Sequence, residues 1–412
     1  MIRNTIAFFI LVSLVFSACK TTYPVKHQFP KPVNTSSVKI SEQEKKVYSI
    51  NGIQASNDFP AARMNDFQRL NDSTYQVTIL PENEPINESP HYAFSLSSDT
   101  KRSIHLEIYY GRYKHRYYPK ISHDLKNWTP IDSLRFDTLM AGNRAHLILD
   151  IDDKPLYVAA QEIRDSKHTD AWIGNLKQSH PQIKSGSVGL SHKGRPIPYM
   201  DIVEGEAKDK PAILIFSRTH PPEISGYMAM EAYVEELLGD SKLSRAFREK
   251  FRILVYPLIN PDGVDMGHWR HNVGGIDLNR DWAEFQQPET EAVARHVSES
   301  VSADNNTVLL GMDFHSTQED VIYTHTANRQ SVISPYKDLW LEALSKADLH
   351  PNEEPYDLST PMTKGWFYLE FGAEAIIYEV GDETDREYLK YKSRTAAQEM
   401  MKLLVLSHTT SK

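Results

Sequence analysis

Four apolar runs in this chain are each followed within a few residues by side chains that can bind a metal or act on an amide bond. Runs 212–216, 251–258, 307–312 and 375–378 lead, respectively, to His220 and Glu223, to Asn260 and Asp262, to Asp313 and His315, and to Glu379. Such runs are typical of buried parallel strands, and ligand sites in α/β sheets lie beyond the carboxyl ends of these strands. Four strand ends facing one crevice would gather the side chains of a hydrolytic zinc site.

The spacing His-x-x-Glu can supply two ligands to one metal ion, and the chain contains it three times. The three pairs are His220 with Glu223, His296 with Glu299, and His350 with Glu353. The second pair lies inside an apparent amphipathic helix, where residues three apart share a face and form surface pairs. The third lies in a polar, proline-containing loop. Only the first directly follows a buried-strand pattern, so it is the preferred ligand pair.

A catalytic zinc site needs a third protein ligand, with one position left open. His315 is the best candidate because it also ends an apolar run, although a histidine in that position can be purely structural. His268 and His271 are the competitors, in a glycine-containing loop. Ligating imidazoles usually donate their second N–H to a carboxylate, and Asp277 and Asp313 are both near enough in sequence to accept it.

The elements that would position these residues form two units. Residues 47–180 contain short alternating segments separated by turns, which predict a β-sandwich. Residues 185–408 alternate apolar strands with helix patterns, which predicts an α/β domain with a mixed, largely parallel sheet flanked by helices. Residues 20–46, rich in Pro, Ser, Thr and Lys, are interpreted as a tether.

Composition restricts the functions that the chain can have. Its 412 residues leave room for two domains, and 40% hydrophobic with 25% charged residues is a globular composition. The net charge of −9 and the lack of a long basic block argue against a nucleic-acid partner. The basic and aromatic segment 109–120 could bind a nucleic acid or a glycan, but it is interpreted as two sandwich strands with aromatic cross-strand pairs.

The first nineteen residues predict export. Arg3, the apolar run 6–16 and the small residues before Cys19 form the pattern of a secretion signal, and the run is too short for an ordinary membrane span. Cys19, the one cysteine, resembles the lipidated residue of a bacterial lipobox. We therefore expect a lipid-anchored envelope protein, facing the periplasm or the cell surface; the alternative is a plain secretory signal.

The segments from about Ser191 to Asp385 together resemble the M14 zinc carboxypeptidases. The stretches that carry the resemblance are Ser-His-Lys-Gly-Arg-Pro-Ile at 191–197, His-Pro-Pro-Glu at 220–223, Asn-Pro-Asp-Gly at 260–263, Arg270 ten residues before the last residue of Asp-Leu-Asn-Arg at 277–280, and Ile-Ile-Tyr-Glu at 376–379. The upstream segments 117–128 and 155–161 look like the β-domain of the cytosolic-carboxypeptidase branch, in a looser match. Pro222 stands where several digestive members have an arginine.

The resemblance implies a role for each matching residue. His220, Glu223 and His315 would bind one Zn²⁺ per chain. The others have separate roles: Glu379 would be the general base, Arg270 would stabilise the oxyanion, Asn279 and Arg280 would bind the terminal carboxylate, and Asp277 would orient His220. The implied substrate is a peptide with a free C-terminal carboxylate.

Two further positions are carried over by counting back from Glu379. Tyr356, twenty-three residues upstream, matches the family tyrosine with a small loop shift. Lys364 falls where the family pocket for the terminal side chain is lined, so an acidic C-terminal residue is expected to be preferred; the alternative is an exposed loop lysine.

Two other functions stay open at this point. One is a zinc amidase that acts on peptidoglycan stem peptides or on another non-protein amide. The other is a catalytically inactive, zinc-containing peptide-binding lipoprotein.

Overall fold

The computed structural model describes residues 24–410. The predicted signal peptide, with Cys19, and the first residues of the predicted tether lie outside this range. Among the described residues, no helix combines the length and the apolar character needed to cross a lipid bilayer.

A β-rich region precedes the α/β unit and consists of two sheets. Numbered along the chain, its strands are β1 (Val47–Ile50), β2 (Ile53–Ser56), β3 (Asp66–Arg69), β4 (Thr74–Thr78), β5 (Ala93–Ser98), β6 (Arg102–Tyr109), β7 (Lys120–Ser122), β8 (Thr129–Pro130), β9 (Phe136–Leu139), β10 (Arg144–Ile151) and β11 (Leu156–Ala159). One sheet has the order β1-β2-β5-β11-β7-β8 and the other β3-β4-β6-β10-β9. Short 3₁₀ turns at Ser133–Arg135 and Met140–Gly142 flank β9.

Alternation along the strands explains why the two sheets face each other. In β6, Ile104, Leu106 and Ile108 are buried while the residues between them are partly exposed. These side chains join Phe94 and Val158 of the other sheet in one hydrophobic core. Burial on one face only is what a period of two produces in a sandwich, and it confirms the predicted β-rich region.

The α/β unit is built on an eight-stranded sheet with the order β12-β13-β15-β14-β16-β19-β17-β18. Its strands are β12 (Lys184–Leu190), β13 (Pro196–Ile202), β14 (Ala212–Ser217), β15 (Arg252–Tyr256), β16 (Val308–Thr317), β17 (Val321–Thr324), β18 (Glu353–Pro355) and β19 (Glu374–Gly381). The four central strands β15, β14, β16 and β19 are parallel to one another. Antiparallel pairs join them to the strands on either side.

Helices cover both faces of this sheet, because the parallel strands are apolar on both sides. The helices are α1 (Ser166–Ser179), α2 (Ile224–Leu238), α3 (Lys242–Lys250), α4 (Pro261–Asp265), α5 (Pro288–Ala303), α6 (Tyr336–Lys346), α7 (Thr363–Phe371) and α8 (Arg386–Thr410), with a 3₁₀ turn at Leu278–Arg280. In β14, Ile213 and Ile215 pack into one core, whereas Leu214 and Phe216 pack into another. The predicted α/β class, with its mixed, largely parallel sheet, is confirmed.

Helix α1 belongs with the α/β unit, although the sequence placed it before the expected boundary at 180–185. Its Trp172 and Ile173 are buried in the core on the α2 side of the large sheet. The strand patterns alone could not show this, because the helix precedes the first strand of the sheet it covers.

The described part of the predicted tether is not a free linker but packs on the folded body. Thr35 is fully buried and its hydroxyl donates to Asp281. The main chain of Val38 donates to the carbonyl of Gly274 at 2.8 Å. These contacts are made by single polar residues and by the backbone, so the polar composition of 20–46 did not reveal them.

Candidate active site

The carboxyl ends of the parallel strands carry the predicted site residues. His220 and Glu223 lie in the turn between β14 and α2, and Glu223 occupies the N-cap position of α2. His315 in β16 is directly opposite Glu379 in the neighbouring strand β19. The start of α2 can approach β16 closely because residue 226 is glycine: a Cβ there would lie 2.2 Å from the His315 carbonyl oxygen.

The three predicted metal ligands converge on one point. The Nδ1 atom of His220 is 2.8 Å from Oε1 of Glu223, and the Nδ1 atom of His315 is 2.7 Å from Oε2 of the same carboxylate. One candidate ligand atom from each residue lies within 4.8 Å of the others, and all three side chains are buried. Among the described residues this is the one such cluster of His, Cys, Asp and Glu.

Each imidazole is held from behind by an aspartate. His220 Nε2 lies 2.9 Å from Asp277, and His315 Nε2 lies 2.8 Å from Asp313. Burial alone would raise the pKa of Asp277, but the charges of Arg270 and His220 hold it well below its usual range. Two imidazoles with carboxylate-bound outer nitrogens, facing a third carboxylate, are the donor set of a catalytic zinc site. The residues present therefore fit a zinc ion.

Glu379 faces this cluster from the adjacent strand. Burial raises the pKa of its carboxyl to about 8, and Glu223 adds repulsion against the opposing effects of His315 and Arg270. Its Oε2 is shielded from solvent and has no hydrogen-bond partner among the described residues. A carboxyl with a raised pKa that lines a cavity can take a proton from water and pass it to a leaving group near neutral pH.

The predicted arginines line the same space. Arg270 donates from Nε to Asp277 at 2.8 Å, and its side chain is largely buried. Arg280 is more exposed, lies 3.8 Å from Asp277 and donates to the carbonyl of Asn279. The Asn279 amide oxygen accepts from the backbone N–H of Thr363 at 3.1 Å, so this side chain is already partly held by α7.

These groups surround a cavity of about 460 Å³. Residues from both units line it: Asn87, Glu88, Ser89, Arg116, His220, Glu223, Arg270, Asn279, Arg280, His315, Ser316, Thr317, Tyr323, Tyr356, Met362, Ile377 and Glu379. Tyr356, predicted from spacing alone, is therefore in the lining. Its hydroxyl lies 3.7 Å from the sulfur of Met362.

Lys364 lies behind the cavity wall rather than in the lining, which corrects the expectation that it lines the pocket. Its side chain is buried, and its ammonium donates to the carbonyls of Thr324 and Tyr356 at 2.6 and 2.8 Å. The ammonium also lies 3.5 Å from the centroid of the Tyr356 ring. It is not an exposed loop lysine either, because helix α7 carries it into the interior.

Several lining residues were missed by the sequence analysis. Arg116 belongs to a loop between β6 and β7, not to the sandwich strands expected for 109–120. Its guanidinium donates to Asp382 at 2.8 Å and to the Ser89 hydroxyl at 2.8 Å. The unusual density of basic residues in this loop was the available signal. Tyr323 and Ile377 lack any such signal, because they read as ordinary strand residues.

The competing histidines are bound elsewhere. His268 faces the carbonyl of His271, and His271 faces the amide oxygen of Asn83. His296 pairs with the Tyr256 hydroxyl outside the cavity, and His350 is exposed.

Comparisons with known proteins identify the family of the α/β unit. A model of the family "Zinc carboxypeptidase" matches residues 169–402, more than half of the chain. Cytosolic carboxypeptidase 2 of Danio rerio is 30% identical over 128 residues, which are 30% of this chain and 18% of that protein. Cytosolic carboxypeptidase 1 of Xenopus laevis is 36% identical over 84 residues, 20% of this chain and 7% of that protein. The chain thus matches less than a fifth of the length of these relatives.

Solved structures show the same fold over both units. A metallo-carboxypeptidase from Burkholderia cenocepacia superposes with a TM-score of 0.71 at 17% identity, covering 87% of this chain and 99% of that one. A metallo-carboxypeptidase from Pseudomonas aeruginosa, in complex with (2-guanidinoethylmercapto)succinic acid, has a TM-score of 0.66 at 16% identity, with 86% and 98% covered. On the family match over most of the α/β unit, the chain belongs to the zinc carboxypeptidase family of hydrolytic enzymes.

Proposed function

We propose that this chain is a zinc-dependent metallocarboxypeptidase that hydrolyses the C-terminal peptide bond of peptides. The observation that carries the proposal is the meeting of the ligand cluster, a carboxyl with a raised pKa and two arginines in one cavity. The test is incubation of the zinc-loaded protein with peptides, followed by mass spectrometry. Stepwise loss of single C-terminal residues is expected, and an amidated peptide should resist. If the protein cleaves muropeptides but leaves ordinary peptides intact, the result would favour the zinc amidase. If it binds zinc but turns over no substrate, the result would favour the inactive binding protein.

His220, Glu223 and His315 would hold the zinc ion. When bound, zinc supplies a Lewis acid and makes water a usable nucleophile at neutral pH. Glu379 removes a proton from the attacking water and then gives it to the departing amine. Arg270 stabilises the negative charge that develops on the carbonyl oxygen, since a fixed cation in a shielded site needs little reorganisation.

The terminal carboxylate of the substrate pairs with Arg280. Its guanidinium is about one third exposed and, apart from Asp277 at 3.8 Å, has no close carboxylate partner among the described residues. A planar guanidinium donates two parallel hydrogen bonds to a carboxylate. Asn279, next to it, contributes amide donors to the same pocket wall.

Arg280→Ala should therefore lower kcat/KM for peptides with a free C-terminus by about 100-fold or more, since a charged hydrogen-bonded pair is lost. Any slow turnover of C-terminally amidated peptides should change little. Steady-state kinetics on matched free and amidated peptides measure the difference. Arg394→Ala is the control, because Arg394 is a surface arginine near Glu235, outside the cavity. Equal losses on both peptides would remove the recognition role of Arg280.

We propose in addition a preference for acidic C-terminal residues, with Lys364 as its source. The ammonium lies 3.5 Å from the centroid of the Tyr356 ring, and Tyr356 lines the cavity. A substrate side chain that displaces this ring would bring its carboxylate to Lys364. Burial lowers the pKa of Lys364 to about 7, so the ammonium is fully charged only below that pH.

The preference should accordingly depend on pH. The kcat/KM ratio of a peptide ending in Glu to one ending in Leu should be high about one unit below the Lys364 pKa and fall as the pH rises above it. Lys364→Met should abolish both the ratio and its pH dependence. Lys210→Met is the matched control: Lys210 also donates to a backbone carbonyl, but to that of Glu204, which does not line the cavity, whereas Lys364 donates to that of the lining residue Tyr356. Faster release of Leu than of Glu by the wild type would discard the idea.

We propose finally that the protein is exported and held at a bacterial envelope membrane by a lipid on Cys19. The support is the sequence of residues 3–19, outside the described range. Cys19→Ser should abolish radiolabelled fatty-acid incorporation and move the protein from the membrane fraction to the supernatant. Equal membrane association of variant and wild type would contradict the anchor.

A further inference from the structure

A single glutamate of the β-rich region holds the loop that carries Arg270. Glu82 follows β4 and is completely buried. Its Oε1 accepts the backbone N–H groups of Arg270 at 3.0 Å and His271 at 2.7 Å, and its Oε2 accepts that of Trp269 at 2.9 Å. Three consecutive amides of one unit thus donate to one carboxylate of the other.

Glu82 is charged in this setting. Burial by itself would raise the pKa of its carboxyl, but His268 and Arg63 lower it to about 2. Hydrogen bonds from N–H groups to an ionised carboxylate are about twice as strong as neutral ones. The loop is therefore bound firmly at this point.

Neighbouring contacts attach the same loop to the β-rich region on both sides. The Asn83 side chain donates to the carbonyl of Gly275 at 2.8 Å and faces the His271 ring at 2.7 Å. Trp269 is fully buried in the core between the two β-sheets, edge-on to Tyr113 with ring centroids 5.1 Å apart. The β-rich region thus holds residues 269–271 of the loop, whereas the ends of the loop also bond to the α/β unit, through the main chain of His268 and the side chain of Asn272.

The position of the loop affects the reacting groups through the side chain of Arg270. Arg270 donates to Asp277 at 2.8 Å, and the other oxygen of Asp277 lies 2.9 Å from His220. Movement of the Arg270 main chain would shift its guanidinium relative to this cluster. A misplacement of about 1 Å in a catalytic group can cost about 100-fold in rate.

We propose that Glu82 is a positioning residue for hydrolysis: it fixes the main chain of 269–271 and thereby the guanidinium of Arg270. The proposal rests on the metallocarboxypeptidase function proposed above. It makes the β-rich region a working part of the active site, beyond a support for the fold. Glu82 itself does not line the cavity, so it acts only through Arg270.

A double-mutant cycle separates positioning from a general contribution to stability. Glu82→Gln should lower kcat by about 10- to 100-fold with KM nearly unchanged. In an Arg270→Ala background the same change should have no further effect on kcat, because the group that it positions is gone. Glu162→Gln is the matched control: Glu162 pairs with Arg386 at 2.9 Å and does not touch the 268–275 loop. It should leave kcat near wild type.

Hydrogen exchange of the metal-free protein supplies a readout that does not need activity. The amides of 269–271 should exchange faster in Glu82→Gln than in the wild type, and at the wild-type rate in Glu162→Gln. If Glu82→Gln does not fold, Asn83→Ala takes its place in both experiments, with a smaller loss of kcat expected.

Three results would each overturn the positioning role. The first is a kcat of the double variant that falls by the product of the two single losses. The others are a wild-type kcat in Glu82→Gln and an unchanged exchange rate of the amides of 269–271 in that variant. A wild type without peptide turnover would instead reject the proposed function, and the exchange measurement would still report whether Glu82 holds the loop.

Discussion

Glu379→Gln is expected to lower kcat by about 10²- to 10⁴-fold, the usual contribution of a positioned general base, while the zinc content stays at the wild-type level. The amide keeps the size of the carboxyl but cannot accept a proton from water at neutral pH. Glu379 lies opposite His315 across the β16–β19 pair, yet it is not a member of the ligand cluster. Activity and metal binding should therefore separate in this variant.

Glu374→Gln provides the control on the same strand. Glu374 is also buried, and its pKa is also raised by burial, but it lies at the opposite end of β19 and bonds to Ser331. It should retain wild-type turnover. Steady-state kinetics and elemental analysis of both variants check the pair of expectations. A near-normal kcat of Glu379→Gln would show that Glu379 is not the general base.

His315→Ala is expected to lose both zinc and activity. The residue supplies one of three converging side chains, and its outer nitrogen is fixed by Asp313 at 2.8 Å. Without it, two ligands from the 220–223 turn remain, which are fewer than a catalytic zinc site uses. Because zinc binds the folded state, the wild type should melt at a higher temperature with zinc than with a chelator. In His315→Ala this difference should vanish.

The control is His296→Ala. His296 begins another His-x-x-Glu stretch of the chain, like His220, but its ring bonds to the Tyr256 hydroxyl outside the cavity. Its zinc stoichiometry and its zinc-dependent melting shift should match the wild type. Full zinc content in His315→Ala would show that the metal binds elsewhere.

The parts of the site that lie at strand ends could be predicted from the sequence. Apolar runs locate β14, β16 and β19, and the register of parallel strands then brings His220, His315 and Glu379 to one edge. Asp313 follows from the same reasoning, because it precedes His315 on the same strand. The local hydrophobic pattern is sufficient to predict these residues, because the geometry of a parallel sheet places the ends of its strands at one edge.

The contacts between the two units could not be predicted. Glu82 reads as one acidic residue in a loop, and its role depends on which backbone amides the α/β unit presents to it. Arg116 reaches the cavity only because the β6–β7 loop crosses toward Asp382. Lys364 was singled out from the sequence, but the direction of its side chain could not be predicted. Counting along the chain gives its approximate position, whereas the direction depends on how α7 packs beside Tyr356.

The central claim is that one divalent ion binds between His220, Glu223 and His315, and anomalous diffraction at the zinc edge tests it most directly. Crystals of the zinc-loaded protein should show a single strong peak per chain among these three side chains, facing Glu379. A peak at any other place, or none in an active preparation, would contradict the account.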